Sequence, residues 1–436
     1  MGKSAFFPAL LISGLTGSLW SVDTRAMDWP DSQDWAVHVD ETLIDQKHGA
    51  FYSKYPDGPN SFSSQAENSY SSVGGINLGY LAGPHAEFWA RVEDIRGIPL
   101  SNAGGLAALT NNDMQRVMTN QFTTYLALAF VRNTWELGGT SQSKEADEQN
   151  FARETSSRNV QLIYGKLDVL DMFDGNAYAH KSDDQFLNWC FMTSCAYDFP
   201  ADARGYTWGA MSQLDWDQWS LRAGWFAMPR LPNQLELDGS VGQHFGVDAE
   251  IERRWASGAL KLLAYQGRMQ LSSYGQFLNQ TGVFIQNSPK YDAKRGGAGL
   301  NLQQELMSGV GFFSRMFWTG GQSETMAYTE ADRSASAGFS LEGGLWGREK
   351  DGIGVGWAAN SINSNRQAFL AAGNYDLFIG DGYLVYAPEN VLETYYRLGI
   401  VRNVELTFDW QYIVNPAYNQ VRGPIDVYGL RLHLDF

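Results

Sequence analysis

Apolar and polar residues alternate along the C-terminal end of the chain. In residues 428–436 every second side chain is aliphatic or aromatic, and the opposite face carries Arg431, His433 and Asp435. Strand side chains alternate with a period of two, so this pattern predicts an extended strand. Soluble sandwich strands alternate as well. A fully charged polar face and a final aromatic, Phe436, favour a transmembrane strand with lipid on one side and a watery lumen on the other.

Segments of this kind recur along the whole chain, and short joints alternate with long polar loops. Both termini fall on the side of the short joints, and one joint on that side, about 139–158, is unusually long. An even strand number with this alternation is typical of bacterial outer-membrane barrels. We predict an all-β fold, a closed antiparallel transmembrane β-barrel with short periplasmic turns and long extracellular loops. Its sixteen predicted strands are 34–44, 70–81, 84–93, 123–137, 159–166, 206–214, 219–227, 249–256, 259–267, 297–306, 310–318, 335–345, 353–361, 391–400, 404–414 and 427–436.

Composition narrows the alternatives. A soluble all-β protein would need a second sheet to cover the apolar faces, and its long loops would be hard to rationalise. Aromatic residues make up 14% of the chain, which suits the aromatic girdles of a membrane barrel. The net charge of −16 argues against a nucleic-acid partner, because phosphates would be repelled.

The N-terminus indicates export, and export in turn bears on the state of the two cysteines. Residues 1–26 resemble a secretory signal, with Lys3 before an apolar stretch too short to span a bilayer, although the cleavage site is unclear. We therefore expect a signal peptide at 1–26 and one barrel domain at 27–436. Cys190 and Cys195 are the only cysteines. An oxidising compartment favours a small disulfide between them, and two cysteines without a His pair make a poor zinc site.

Several longer motifs carry a resemblance to a known family. They are Gly165–Asp174, Asn176–His180, Phe186–Trp189, Ala201–Gly209, Tyr328–Ser334, Gly380–Gly382, Pro388–Tyr396, Asn415–Asn419 and Arg422–Pro424. These motifs resemble those of the carbohydrate-selective porins of Gram-negative bacteria (OprB type), and the similarity extends over about residues 35–436. The resemblance implies a sixteen-stranded outer-membrane barrel that passes small carbohydrates, notably monosaccharides such as glucose, into the periplasm by facilitated diffusion.

The expected partners follow from this interpretation. They are small carbohydrates, the outer-membrane bilayer, and the barrel assembly machinery, which we expect to engage the terminal strand ending in Phe436. A homotrimer is one candidate assembly, since outward aromatics such as Trp225 and Trp410 suit lipid and subunit contacts equally.

The lumen is where a sugar would be recognised. A sugar presents many hydroxyls and apolar ring faces, so a selective pore needs opposed arginines and carboxylates together with aromatic surfaces. An ordinary charge that solvates or braces the wall is the alternative role for each candidate, and the facing of Arg132 stays open. The candidate lumen or constriction residues, turned inward by the period of two, are Glu87, Trp89, Arg91, Glu93, Arg222, Arg315, Glu393, Tyr395, Arg397, Asp409 and Arg431.

The long loop at about 168–204 has two interpretations. Its aromatic residues indicate either a segment that folds into the mouth and narrows it or a surface loop packed on its neighbours. Asp168, Asp171 and Asp174 lack the ligand spacing of a calcium loop, so we interpret them as structural.

Other function classes have weaker support. Gly338-Phe-Ser-Leu-Glu342 lacks the final glycine of a nucleophile elbow, and no His-Glu-x-x-His motif occurs. We predict no enzyme activity, cofactor or metal. The alternatives left open are a general or polyol-preferring porin, an outer-membrane enzyme with an active site at the rim, and an adhesin.

Overall fold

The computed structural model describes residues 34–115, 119–327 and 329–436. The predicted signal peptide at 1–26 lies outside the described residues, so it stays a prediction. None of the helices in the described ranges is long and apolar enough to cross a bilayer.

The chain forms one closed barrel of sixteen antiparallel strands in sequence order, as the alternation predicts. Strand β1 pairs with both β2 and β16, which closes the cylinder. Two short helices, α1 (Trp189–Met192) and α2 (Ser364–Ala371), lie in the long loops. The strands are β1 (Trp35–His48), β2 (Glu67–Leu81), β3 (Ala86–Ile98), β4 (Thr119–Lys144), β5 (Arg153–Asp168), β6 (Tyr206–Trp216), β7 (Trp219–Ala227), β8 (Phe245–Trp255), β9 (Gly258–Leu271), β10 (Tyr291–Met307), β11 (Val310–Thr319), β12 (Arg333–Glu342), β13 (Gly352–Ser361), β14 (Glu389–Val401), β15 (Val404–Val414) and β16 (Ile425–Asp435).

The two faces of each strand meet different surroundings. On β3, Phe88 is 45% exposed on the outer wall, whereas its neighbours Glu87 and Trp89 turn inward and are 1% and 3% exposed. The same division holds on β16, where Tyr428 faces outward and Arg431 is buried. An arginine on the lipid side at mid-membrane depth would cost about 2–4 kcal/mol, so the charges collect inside.

The closure between the first and last strands leaves no free sheet edge. The backbones of Val39 and Phe436 exchange two hydrogen bonds of 2.8 Å. Inside the barrel, Thr42 Oγ1 and His433 Nδ1 lie 2.9 Å apart across the same pair of strands. Because a membrane supplies no partners for backbone groups, every strand must be paired in this way.

The long joint near 139–158 is a hairpin rather than a loop. Strands β4 and β5 continue as far as the cross-strand pair Lys144 and Arg153, well beyond their predicted ends. The sequence pattern missed these extensions because their Ser, Thr and Gln residues do not alternate with apolar ones. Gly138 and Gly139 both have positive φ angles, and the strand register shifts there. The hairpin therefore departs from the barrel wall at this point.

Candidate functional site

The inserted loop, residues 169–205 between β5 and β6, fills part of the lumen. Most of its aromatic side chains are almost fully buried, among them Phe186, Trp189 and Tyr197. The Phe186 ring lies 5.0 Å from the ring of Tyr395 and 5.4 Å from that of Phe313, both on the inner wall. The loop thus folds into the barrel, where its aromatic residues form an apolar core against the wall.

Arg315 on β11 anchors the centre of the inserted loop. Its guanidinium donates hydrogen bonds to the carbonyls of Phe191 (2.7 Å) and Ala179 (2.6 Å) and lies 3.4 Å from the carboxylate of Asp174. Asp174 also accepts from the Ser194 amide at 2.6 Å. Burial raises the pKa of Asp174, but Arg315 and these hydrogen bonds outweigh it and lower the pKa overall. The carboxylate is therefore ionised and structural.

The opposite wall holds the loop through two further groups. Glu393 on β14 accepts hydrogen bonds from the backbone amides of Leu187 (2.6 Å) and Asn188 (3.0 Å). Arg431 on β16 donates to the carbonyls of Ser182 (2.6 Å) and Gln185 (2.8 Å). Both wall residues are fully buried, so loop backbone already occupies the positions where a sugar hydroxyl would bind.

Two more candidates from the sequence lie beneath or beside the loop. Arg397 donates to Asp184 at 2.9 Å, and Asp409 accepts from Gln411 at 3.1 Å. Burial and the nearby Asp183 raise the pKa of Asp184 to about 6.

Arg222 on β7 reaches the loop indirectly. It donates to Glu252 at 2.8 Å and to Glu250, and Glu250 accepts from the backbone amide of Asp174 at 2.9 Å. The wall from β7 to β16 is therefore largely committed to holding the loop.

The other side of the lumen contains an open chamber of about 350 Å³. Its wall is formed by residues of β1 to β6, and the inserted loop covers it on the opposite side. Arg91 is the central wall cation: it donates to Asp40 at 2.7 Å and to Glu93 at 2.8 Å. The Tyr206 hydroxyl also donates to Glu93 at 2.8 Å.

The lining of the chamber combines charged and apolar surfaces. Eight carboxylates and three Arg or Lys side chains line it, so negative charge predominates. Lys181 and Asp183 of the inserted loop are among them. Burial raises the pKa of Asp183, but Lys181 and other cations lower it overall, so this carboxylate is ionised. The apolar part includes Leu128, Leu170 and Met172.

The hairpin tip, residues 145–152 between β4 and β5, forms the periplasmic side of the chamber. Arg132 donates to the carbonyl of Gln149 at 2.8 Å, and Phe151 packs on Trp89 with ring centroids 5.0 Å apart. Arg132 thus faces inward, which settles the orientation that the sequence pattern left open. Burial, with Asp183 nearby, raises the pKa of Glu148 in the tip to about 7.

The structure divides the candidates from the sequence into three groups. Arg91 and Glu93 line the chamber, and Glu87 and Trp89 lie where the hairpin tip meets the wall, with Glu87 accepting from Arg132 at 2.9 Å. The remaining candidates contact the inserted loop or residues that hold it. A direct role of any of them in sugar binding stays a prediction.

Some chamber residues were not candidates in the sequence. Asp40 lies in the first strand, on the face opposite Val37 and Val39, so the period of two could have found it, whereas Lys181 and Asp183 lie in a loop to which no period applies. Glu148 had one available signal, the unusual length of its joint.

The cysteines lie within the inserted loop. Cys190 and Cys195 are joined by a disulfide with Cα atoms 4.5 Å apart, and the Asn360 side chain on β13 donates to the Cys190 sulfur at 3.2 Å. In the described residues, no cluster of three or more potential metal ligands occurs.

Comparison with known proteins identifies the family. The profile of the OprB family of carbohydrate-selective porins matches residues 76–436. The high-pH structure of Pseudomonas putida OprB is similar, with a TM-score of 0.67, 14% identity and coverage of 93% of this chain and 94% of that one. The outer-membrane channel DcaP of Acinetobacter baumannii has a TM-score of 0.53 at 7% identity, covering 93% of this chain and 98% of that one. At these identities the two structures establish the fold alone. A comparison with curated proteins gave no match. The chain belongs to the OprB family of carbohydrate-selective porins and is an outer-membrane sugar porin.

Proposed function

We propose that this porin passes monosaccharides such as glucose by diffusion through the chamber beside Arg91, without catalytic turnover. The observation that carries the proposal is the chemistry and size of the chamber. Its volume of about 350 Å³ is near the lower end of the range of small-molecule sites, about 300–1,000 Å³.

The lining suits a neutral polyhydroxyl ligand. Arg91 offers donors and Asp40 offers acceptors within one hydrogen-bonded group, which matches sugar hydroxyls, and the fully buried Glu93 holds Arg91 in place. Leu128 and Met172 supply apolar surface for the ring faces. Weak contacts of several kinds allow binding and release, as conduction requires.

Liposome swelling tests the proposal. Purified porin is inserted into liposomes, and entry of glucose is compared with entry of a polyol, a trisaccharide and a charged amino acid. We expect fast entry of glucose, slower entry of the trisaccharide and the charged amino acid, and a preference for glucose over the polyol. Equal entry of all small solutes would indicate a general porin. Absence of any entry would contradict a channel and favour an enzyme or an adhesin.

Two partner predictions remain to be measured. The outward Trp225, 37% exposed on β7, is available for lipid or subunit contact. In a homotrimer, the neighbouring subunit would bury such side chains. The mass of the detergent-solubilised protein distinguishes a trimer from a monomer. Removal of Phe436 should slow insertion into the membrane if the assembly machinery recognises the terminal strand.

A further inference from the structure

The β4–β5 hairpin is folded back into the barrel. Arg132 is twelve residues before Lys144, the last paired residue of β4, and Gln149 lies in the tip beyond Lys144. In a straight hairpin Arg132 and Gln149 would therefore lie roughly 40 Å apart, at about 3.3 Å per residue. They are instead hydrogen bonded at 2.8 Å. The bend at Gly138–Gly139 therefore turns the tip into the lumen.

Contacts at both sides of the tip fix its position. Toward the wall, Arg153 at its base lies 2.7 Å from Glu87, and Phe151 packs on Trp89. Toward the inserted loop, the Gln149 amide donates to Asp171 at 3.0 Å. The tip thus bridges the wall and the loop, and four consecutive residues, 147–150, line the chamber.

We propose that the hairpin tip is the specificity-determining element of this pore: it limits passage to monosaccharide-sized solutes and disfavours anionic sugars such as glucuronate. The inference rests on the proposed function, because it requires that sugars cross the chamber. The size limit follows from the geometry, since the tip occupies the periplasmic side of a space that the inserted loop already narrows from the other side.

The charge preference follows from what the tip contributes. Glu148 lies among Asp183 and Lys181 of the loop and Asp40 and Arg91 of the wall. The guanidinium of Arg91 is already engaged by Asp40 and Glu93, and that of Arg132 by Glu87 and the tip. Arg91 and Arg132 are thus largely neutralised and Lys181 faces Asp183 and other carboxylates, whereas Asp147 and Glu148 add negative charge to the lining. Each uncompensated negative charge at close range lowers the occupancy of the chamber by a passing carboxylate about three- to fivefold.

Shortening the tip tests the size limit. Lys144 and Arg153 are cross-strand partners, so residues 145–152 can be replaced by Asn-Gly, the preferred two-residue hairpin turn. Heat-modifiable mobility on gels verifies that the barrel has folded. We expect faster swelling with the trisaccharide raffinose relative to glucose and a larger single-channel conductance. An unchanged raffinose-to-glucose ratio would overturn the size limit.

Single substitutions test the charge preference without changing the length of the tip. Glu148→Gln removes the carboxylate in the chamber, and Glu145→Gln, at an exposed position of the same tip, is the matched control. The probes are glucose, glucuronate and glucosamine, which share a ring and differ in charge. At pH 8, where Glu148 is ionised, we expect the glucuronate-to-glucose ratio to rise about threefold in Glu148→Gln and to stay unchanged in Glu145→Gln. Equal ratios in both variants and the unaltered protein would refute the charge preference.

The same assays separate this inference from the proposed function. If the unaltered porin admits no glucose, the proposed function itself fails. If it admits glucose and neither tip variant changes any ratio, only the role of the hairpin tip fails.

Discussion

The two sides of the lumen use the same residue types for different purposes. From β7 to β16, inward arginines and carboxylates bind the backbone of the inserted loop, as Arg315 does with the carbonyls of Phe191 and Ala179. From β1 to β4, Arg91 binds other side chains, Asp40 and Glu93, next to an open chamber. An inward charge in a porin is thus not by itself a substrate contact. The difference lies in whether a buried backbone group is within reach.

Energetics explain why the filled side is built in this way. A loop inside a barrel buries carbonyls and amides that cannot all pair with one another, and an unpaired buried group costs about 1–3 kcal/mol. Arginine has five donors in a rigid fork and can satisfy several carbonyls at once. Glu393 does the converse for the amides of Leu187 and Asn188. The wall charges on this side therefore replace the missing water.

Removing Arg315 should have the largest effect. Arg315→Ala leaves Asp174 as an uncompensated buried charge and frees several carbonyls, a loss of about 3–5 kcal/mol for a broken buried pair. We expect the inserted loop to detach, with larger and noisier single-channel currents and faster proteolysis within 169–205. Planar-bilayer recording and limited proteolysis measure both.

A paired substitution makes this result specific. Arg315→Ala combined with Asp174→Asn removes the unpaired charge, so it should recover part of the protease resistance. If Arg315→Ala alone keeps unaltered currents and proteolysis, the wall charges of the filled side do not hold the loop.

The disulfide should contribute less, because it closes only a short segment of that loop. Because it restricts the unfolded chain, a disulfide between Cys190 and Cys195 raises the free energy of unfolding by about 2 kcal/mol. Mass spectrometry without reductant should find the protein lighter by two hydrogen atoms, and reduction should speed proteolysis of the loop less than Arg315→Ala does. Free thiols in protein purified from the envelope would contradict the bridge.

On the open side, Arg91 should matter for binding of the sugar. Arg91→Ala removes charged donors from the chamber, and such hydrogen bonds are worth about 1.5–3 kcal/mol, so glucose-induced current block should weaken about tenfold. Arg91→Lys keeps the charge without the bidentate geometry and should give an intermediate value. Retained glucose affinity in the alanine variant would show that the sugar does not bind there.

The sequence predicts the barrel well because strand alternation is a local signal. Phe88 against Glu87, or Tyr428 against Arg431, faces the predicted side because the period of two holds wherever lipid and water meet opposite faces. It cannot predict which inward residues stay open to solutes. That depends on contacts more than a hundred residues apart, such as Arg315 with Phe191, and no period encodes them.

The hairpin tip is a second feature that strand alternation could not predict. Its excess length was visible in the sequence, but its inward fold depends on the bend at Gly138–Gly139 and on Arg132, whose facing the pattern left open. A polar strand extension that lies in water on both faces carries no alternation, so the pattern describes it as a loop.

The smallest expected effect concerns pH and the charge of the chamber. Burial, with Asp183 nearby, raises the pKa of Glu148 to about 7, while Lys181, Asp40 and Arg91 complete its surroundings. A raised pKa means that the group is protonated and neutral below about pH 7 and ionised above it. Lowering the pH from 8 to 6 should therefore remove one negative charge and raise the glucuronate-to-glucose ratio about threefold at moderate salt. Because glucuronate stays ionised over this range, the change reports on the pore. The Glu148→Gln variant should keep a high ratio at both pH values. If its ratio varies with pH as much as that of the unaltered porin, another group in the lumen governs the response, and the open side of the lumen selects by charge through a residue outside the hairpin tip.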